Sequence, residues 1–247
     1  MHPHKSVCIQ DIMLKALLWK EWRENRMLIL WGVSSLIGLT VIIYFFYPGL
    51  ISIKPLLPNK WTPDAVPGIL YMLSMLFLPF FGAIIGANIF GEEFKNKTIN
   101  FLLIMPISYK RIFWVKTIFG IIVTLLLPII IIAFLLLFIT FGLKPENPGE
   151  YEGYLVLSSF FILIPIPFLI ASIFMTIIIK TPGLGLFLGL ILNYGAFSVL
   201  TGISIAATEL NNSSITMMIF MLTGYILFCA ACLQFAYNLF VNKELAV

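Results

Sequence analysis

Six long apolar runs, near residues 27–47, 66–90, 112–141, 154–179, 184–208 and 215–241, constrain this chain more than anything else in it. A helix crosses a hydrocarbon core of about 30 Å with about 20 apolar residues, so each run is long enough to span a bilayer. Across 28–47, 66–90, 117–141, 154–179, 184–208 and 215–241 there is no Asp, Glu, Lys, Arg or His. With 61% hydrophobic and 11% charged residues, a soluble globular domain is excluded. The expected fold class is an all-α integral membrane protein, a single transmembrane domain over residues 1–247 with six transmembrane helices. The first run shows no small-residue cleavage site and is expected to remain as a span.

The positive charges set the expected orientation. With the N-terminus inside, twelve of the fifteen Lys and Arg residues fall on inner segments, and only Lys54, Lys60 and Lys144 fall outside. Both termini and the segment between the second and third spans are then cytoplasmic. Residues 11–26, DIMLKALLWKEWRENR, read as an interfacial helix against membrane lipid, with Asp11 as N-cap and Leu14, Leu18, Trp19 and Trp22 on one side. Lys15 and Arg26 interrupt that side and must snorkel. The plainer reading makes this stretch a polar extension of the first span. Residues before Gln10 read as a polar tail, and the five prolines between Pro48 and Pro67 as an irregular outer flap.

Little chemistry is left for the spans. Asn88, Asn193 and Tyr194 are the candidates for a substrate path, against the alternative that they bond between helices. Gly82 and Gly86, like Gly185 and Gly189, are four apart and allow close helix approach; the second pair is a candidate subunit contact, with packing inside one subunit equally open. Pro79, Pro128, Pro165 and Pro167 should bend their helices, and GISIAA at 202–207 suits a short re-entrant piece. Cys229 and Cys232 form a C-x-x-C inside an apolar helix, where packing rather than redox chemistry is expected. The only histidines are His2 and His4, so no metal site and no catalytic residue is expected. Without charges inside the spans an ion-coupled carrier is disfavoured, and without a G-x-x-x-x-G-K-[ST] loop the chain does not bind ATP by that route. Nothing points to nucleic acid.

One segment stands apart, GEEFKNKTINFLLIMPISYKRIFWVK from Gly91 to Lys116. Its apolar centre, 99–105, is about 10 Å long as a helix, too short to cross, and charges hold it at an aqueous surface. Thr98 is placed to cap a short helix over 99–105, Pro106 to end it, and Ser108 to cap the helix that enters the third span. An apolar run of this kind reads as a docking surface.

The segment resembles the signature cytoplasmic loop of type-2 ABC transporter permeases: acidic residues, Gly-Thr, a leucine pair, Pro-[small apolar]-Ser-Arg and a later Lys. Glu92-Glu93, Thr98, Leu102-Leu103, Pro106-Ile107-Ser108 and Lys116 match it, whereas Lys97 replaces the Gly and Tyr109 the Arg, with Lys110 and Arg111 just beyond. The resemblance implies that 91–111 is a coupling loop carrying a short cytoplasmic coupling helix. Glu92, Glu93, Lys97, Thr98, Phe101, Leu102, Leu103, Pro106 and Ser108 would engage a separate ATP-binding subunit that holds ATP and Mg. It also implies a non-catalytic permease, paired as homodimer or heterodimer, in the plasma membrane of a bacterial cell. Such systems export drugs, antimicrobial peptides or lipid-linked molecules, and uncharged spans favour a hydrophobic or amphipathic substrate. The alternatives are an ion-gradient carrier and a membrane immunity or scaffold protein that moves nothing.

Overall fold

The computed structural model describes residues 3–52, 65–98, 107–138, 163–211 and 214–242. Among them are six α-helices and no strand: α1 Pro3–Ser52, α2 Ala65–Lys95, α3 Tyr109–Phe138, α4 Pro165–Ile179, α5 Pro182–Asn211 and α6 Ser214–Val241. Four stretches are long and apolar enough to cross a membrane, namely Phe77–Lys95, Tyr109–Ile130, Pro182–Ile203 and Met221–Val241. The described part of α4 is shorter, 15 residues, or about 22 Å of helix; residues 154–162 of the expected span lie outside the described ones.

Several expectations change. Residues 11–26 are not a helix of their own: α1 runs unbroken through 50 residues, taking in the expected N-terminal tail, the amphipathic stretch, the first apolar run and Pro48. The physical reason is a shared buried face. Leu17, Glu21, Asn25 and Ile29 recur at intervals of four and are all buried, so one side of the helix packs on both sides of the charged-to-apolar boundary. Likewise α5 continues through 202–207 without a re-entrant break. Pro165 and Pro167 stand in the first turn of α4, where a missing N–H is harmless, directly after Ile164 at φ −55° and ψ −47°; the stretch before them that a bend would involve, residues 154–162, lies outside the described residues. Pro79 and Pro128 do lie inside α2 and α3.

The core sits where α2 and α4 meet. Backbones approach closely there: a Cβ on Gly86 would lie 3.0 Å from Leu169 Cα, and one on Gly82 3.2 Å from Pro165 Cα. Leu78, Ile85, Ile89, Phe90, Leu169 and Ile173 fill the space around this contact. The membrane windows of α5 and α6 are each only 17% buried, which puts these two helices at the edge of the bundle. At one end an aromatic cluster ties α2, α3 and α6 together, with Phe90 against Phe240 at 5.3 Å and Phe113 against Tyr237 at 5.5 Å between ring centroids. Cys232 is buried and Cys229 half-buried against the same core, both as free thiols.

Candidate functional site

Beside that aromatic cluster lies a buried knot of charge built from three helices. Glu93 stands in the last turn of α2, Lys116 in the second turn of α3, and Lys20 and Glu21 on the inward side of α1. Lys116 donates to Glu21 Oε1, to Glu93 Oε1 at 3.2 Å and to the carbonyl of Ile89 at 2.8 Å. Its side chain, like those of Glu21 and Glu93, is 1% exposed. All three donors of the ammonium are therefore used, so burial leaves none of its N–H groups unpaired. Lys20 donates to Glu93 Oε1 from the rim and lies 3.8 Å from Glu24. The Lys116 ammonium is also 5.6 Å from the centre of the Phe90 ring.

The carboxylates of Glu21, Glu24 and Glu93 lie within 4.8 Å of one another. The cationic charge between them comes from Lys116 and Lys20. Burial pushes the carboxyl of Glu21 above its ordinary value; the adjacent Lys116 opposes this, while Glu93 and Glu24 add to it.

The segment after α2 leaves this knot directly. Thr98 lies in the turn after α2 and donates its hydroxyl to Glu93 Oε2. Lys97 has φ 58°, a left-handed conformation, and donates its N–H to Phe94 O at 3.2 Å. This is the position where the resembling loops carry Gly, and the geometry gives the reason: the chain leaves α2 through a turn that favours a residue without Cβ. Glu92 is half-buried and pairs with Lys95 at 3.8 Å. Ser108 immediately precedes α3, and its carbonyl accepts from Arg111 and Ile112. Phe101, Leu102, Leu103 and Pro106, with the expected coupling helix at 99–105, lie outside the described residues.

The other candidates are scattered. Gly185 and Gly189 face α4 of the same chain, where a Cβ on Gly189 would stand 2.6 Å from Ser172 Cα and one on Gly185 2.7 Å from Thr176 Cα. Asn193 is fully buried and accepts a hydrogen bond from Tyr225 of α6, an interhelical bond rather than an open path. Its Nδ2 and the hydroxyls of Thr117, Thr124, Ser172 and Thr176 are buried without a hydrogen-bond partner among the described residues. Tyr194 is exposed with its ring edge-on to Phe168 at 5.1 Å, and Asn88 is half-buried on α2.

Sequence reasoning singled out Glu93 and Lys116 through the loop pattern but missed Glu21 and Asn25 as interior groups and Lys20 as a partner at the rim. The available signal was the four-residue spacing of Leu17, Glu21, Asn25 and Ile29, which marks one helix face holding polar and apolar residues together.

Residues 13–196 match the family described as ABC-2 family transporter protein. No curated protein and no solved structure matches the chain.

Proposed function

The chain belongs to the ABC-2 transporter family as a membrane-spanning permease subunit of an ABC transporter, and we propose that it exports a hydrophobic or amphipathic substrate out of the cell. The substrate class is a peptide toxin, an antimicrobial peptide or a drug. ATP and Mg are handled by a partner subunit, as is normal for the family, and this chain is non-catalytic. It works in the plasma membrane with a second permease subunit, both termini cytoplasmic and all six apolar runs crossing. The lack of Asp, Glu, Lys, Arg and His across 28–47, 66–90, 117–141, 154–179, 184–208 and 215–241 supports a substrate that is largely uncharged where it meets them.

The placement of Glu93 carries the coupling part of the reading. This one carboxylate is bonded to Lys20 of α1, Lys116 of α3 and Thr98 at the start of the loop. A displacement of residues 99–106 by a bound ATP-binding subunit is then passed to three helices at once, because Thr98 cannot move far without loading Glu93. The test is Leu102→Asp combined with Leu103→Asp in the complex purified from its native membrane. Loss of co-purifying ATP-binding subunit and of stimulated ATPase activity is expected; if both survive, the docking assignment is wrong.

A further inference from the structure

The outward side of the first half of α1 carries a pattern that none of the preceding roles uses. Lys15, Trp19, Trp22, Arg23, Arg26 and Leu30 are all exposed. At helical spacing they form one stripe, opposite the buried face of Leu17, Glu21, Asn25 and Ile29. No acidic residue interrupts it: Glu24 lies round the helix beside Lys20, and Glu21 faces inward. Among the described residues, none of the ion pairs involves Lys15, Arg23 or Arg26.

The depth of the stripe follows from the antiparallel register of α1 and α2. Lys20 pairs with Glu93; twelve residues further along α1 and twelve back along α2, Gly32 meets the Phe81 ring. On that register Phe90, the last apolar residue before Gly91-Glu92-Glu93, is level with Arg23. The edge of the hydrocarbon therefore cuts α1 near Arg23. The polar headgroup layer adds about 5–7 Å on each side of the hydrocarbon, or about four residues of helix. Trp19, Trp22 and Arg23 fall within it. Arg26 starts a turn deeper, but helix side chains lean towards the N-terminus, which here is the way out, so its guanidinium reaches the same layer. Lys15 stands just beyond.

We infer that this stripe is a binding surface for anionic phospholipid, with Arg23, Arg26 and Lys15 holding headgroup phosphates and Trp19 and Trp22 seated among the glycerol and upper acyl carbons. Two features favour lipid over a protein partner. The aromatic residues lie at the depth where indole rings partition, and two guanidinium groups face outward at that depth, with Lys15 just beyond and no acidic residue beside them on the stripe. Guanidinium groups also match phosphate oxygens in paired hydrogen bonds, so the surface selects for headgroup charge and not only for apolar contact.

The quenching measurement needs only the purified chain, without nucleotide or partner, and so stands or falls separately from the transport reading; assembly with an ATP-binding subunit is read in a second measurement on the same variants. The chain is placed in vesicles of phosphatidylcholine and phosphatidylglycerol in which one or the other lipid carries brominated acyl chains. Tryptophan quenching is compared with that of Trp19→Phe/Trp22→Phe to isolate these two rings. Quenching by brominated phosphatidylglycerol should exceed that by brominated phosphatidylcholine severalfold at equal mole fraction and weaken as salt is raised. Lys15→Gln/Arg23→Gln/Arg26→Gln should bring the ratio close to one, while Arg23→Lys/Arg26→Lys keeps most of it, which separates charge from misfolding. A wild-type ratio near one, or a ratio unchanged in the glutamine variant, overturns the inference. So does a glutamine variant that keeps its preference for phosphatidylglycerol yet no longer assembles with an ATP-binding subunit, since the stripe then serves a protein.

Discussion

Lys116 reaches from the second turn of α3 to the carboxylate of Glu21 on α1, 95 positions away in sequence, and both side chains are 1% exposed. The same ammonium takes in Glu93 and the Ile89 carbonyl, so removing it strands the buried carboxylate of Glu21 and leaves Glu93 with Lys20 and Thr98 only. Breaking such a site by removing one partner costs about 3–5 kcal/mol. Lys116→Met should therefore lower the thermal stability of the detergent-solubilised protein sharply, and Glu21→Gln should cost less because it strands no charge of its own. Adding Glu21→Gln and Glu93→Gln to Lys116→Met should restore part of the loss. A Lys116→Met protein as stable as the wild type contradicts the assignment of these bonds.

The raised proton affinity of Glu21 gives a stability term with a definite sign. A carboxyl that holds its proton more tightly in the folded chain than in the unfolded one favours folding at low pH. That contribution is complete below the ordinary value of 4.5 and is lost as pH rises through the raised folded value. The difference in melting temperature between wild type and Glu21→Gln should thus shift in favour of the wild type as the sample is acidified from neutrality. A difference that stays flat, or shifts the other way, shows that Lys116 outweighs burial at this carboxyl.

Lys97 is left-handed at the exit of α2, which for a residue with a Cβ costs about 1–2 kcal/mol. Lys97→Gly should therefore raise the melting temperature, and Lys97→Val, β-branched at the same dihedral, should lower it. The comparison is clean because Lys97 is exposed. If glycine and valine behave alike, the turn does not adopt this conformation.

Close packing of α4 on α5 predicts a contrast between two glycines of the same helix. A Cβ on Gly189 meets Ser172 Cα at 2.6 Å, whereas one on Gly195 meets nothing within 4 Å. Gly189→Ala should destabilise by about 1–3 kcal/mol, the usual penalty for overpacking, and Gly195→Ala should be neutral or slightly stabilising. Both are read as the fraction surviving heating in detergent. Equal tolerance at the two positions places the α4–α5 contact elsewhere.

The apolar runs were legible because lipid-facing and core-facing residues are alike hydrophobic, so length alone marks a membrane helix. The same likeness hid the orientation of α1. Leu18, Trp19 and Trp22 look like a core stripe, yet they face out and Glu21 and Asn25 face in. In water that arrangement would be unfavourable; against a bilayer the apolar side needs no protein partner, and the polar side finds one in Lys116. Glu93 could be picked out as a member of a loop pattern, but its partners are set by helix register across 73 and 23 positions, which no local spacing reveals. Gly185 and Gly189 were legible as a close approach, while the choice between a neighbour in the same chain and one in a second subunit was not.

Because α1 is a single helix from Pro3 to Ser52, its angular phase is shared along its whole length. One extra residue inserted between Asn25 and Ile29 would turn everything before it by about 100° relative to everything after. Glu21 would swing away from Lys116 while Gly32 stayed against Phe81, and the tryptophans would no longer share a side with Leu30. The buried charges, the outward stripe and the contact of Gly32 with Phe81 are thus cut on one screw thread, and a slip of a single residue puts them out of step together.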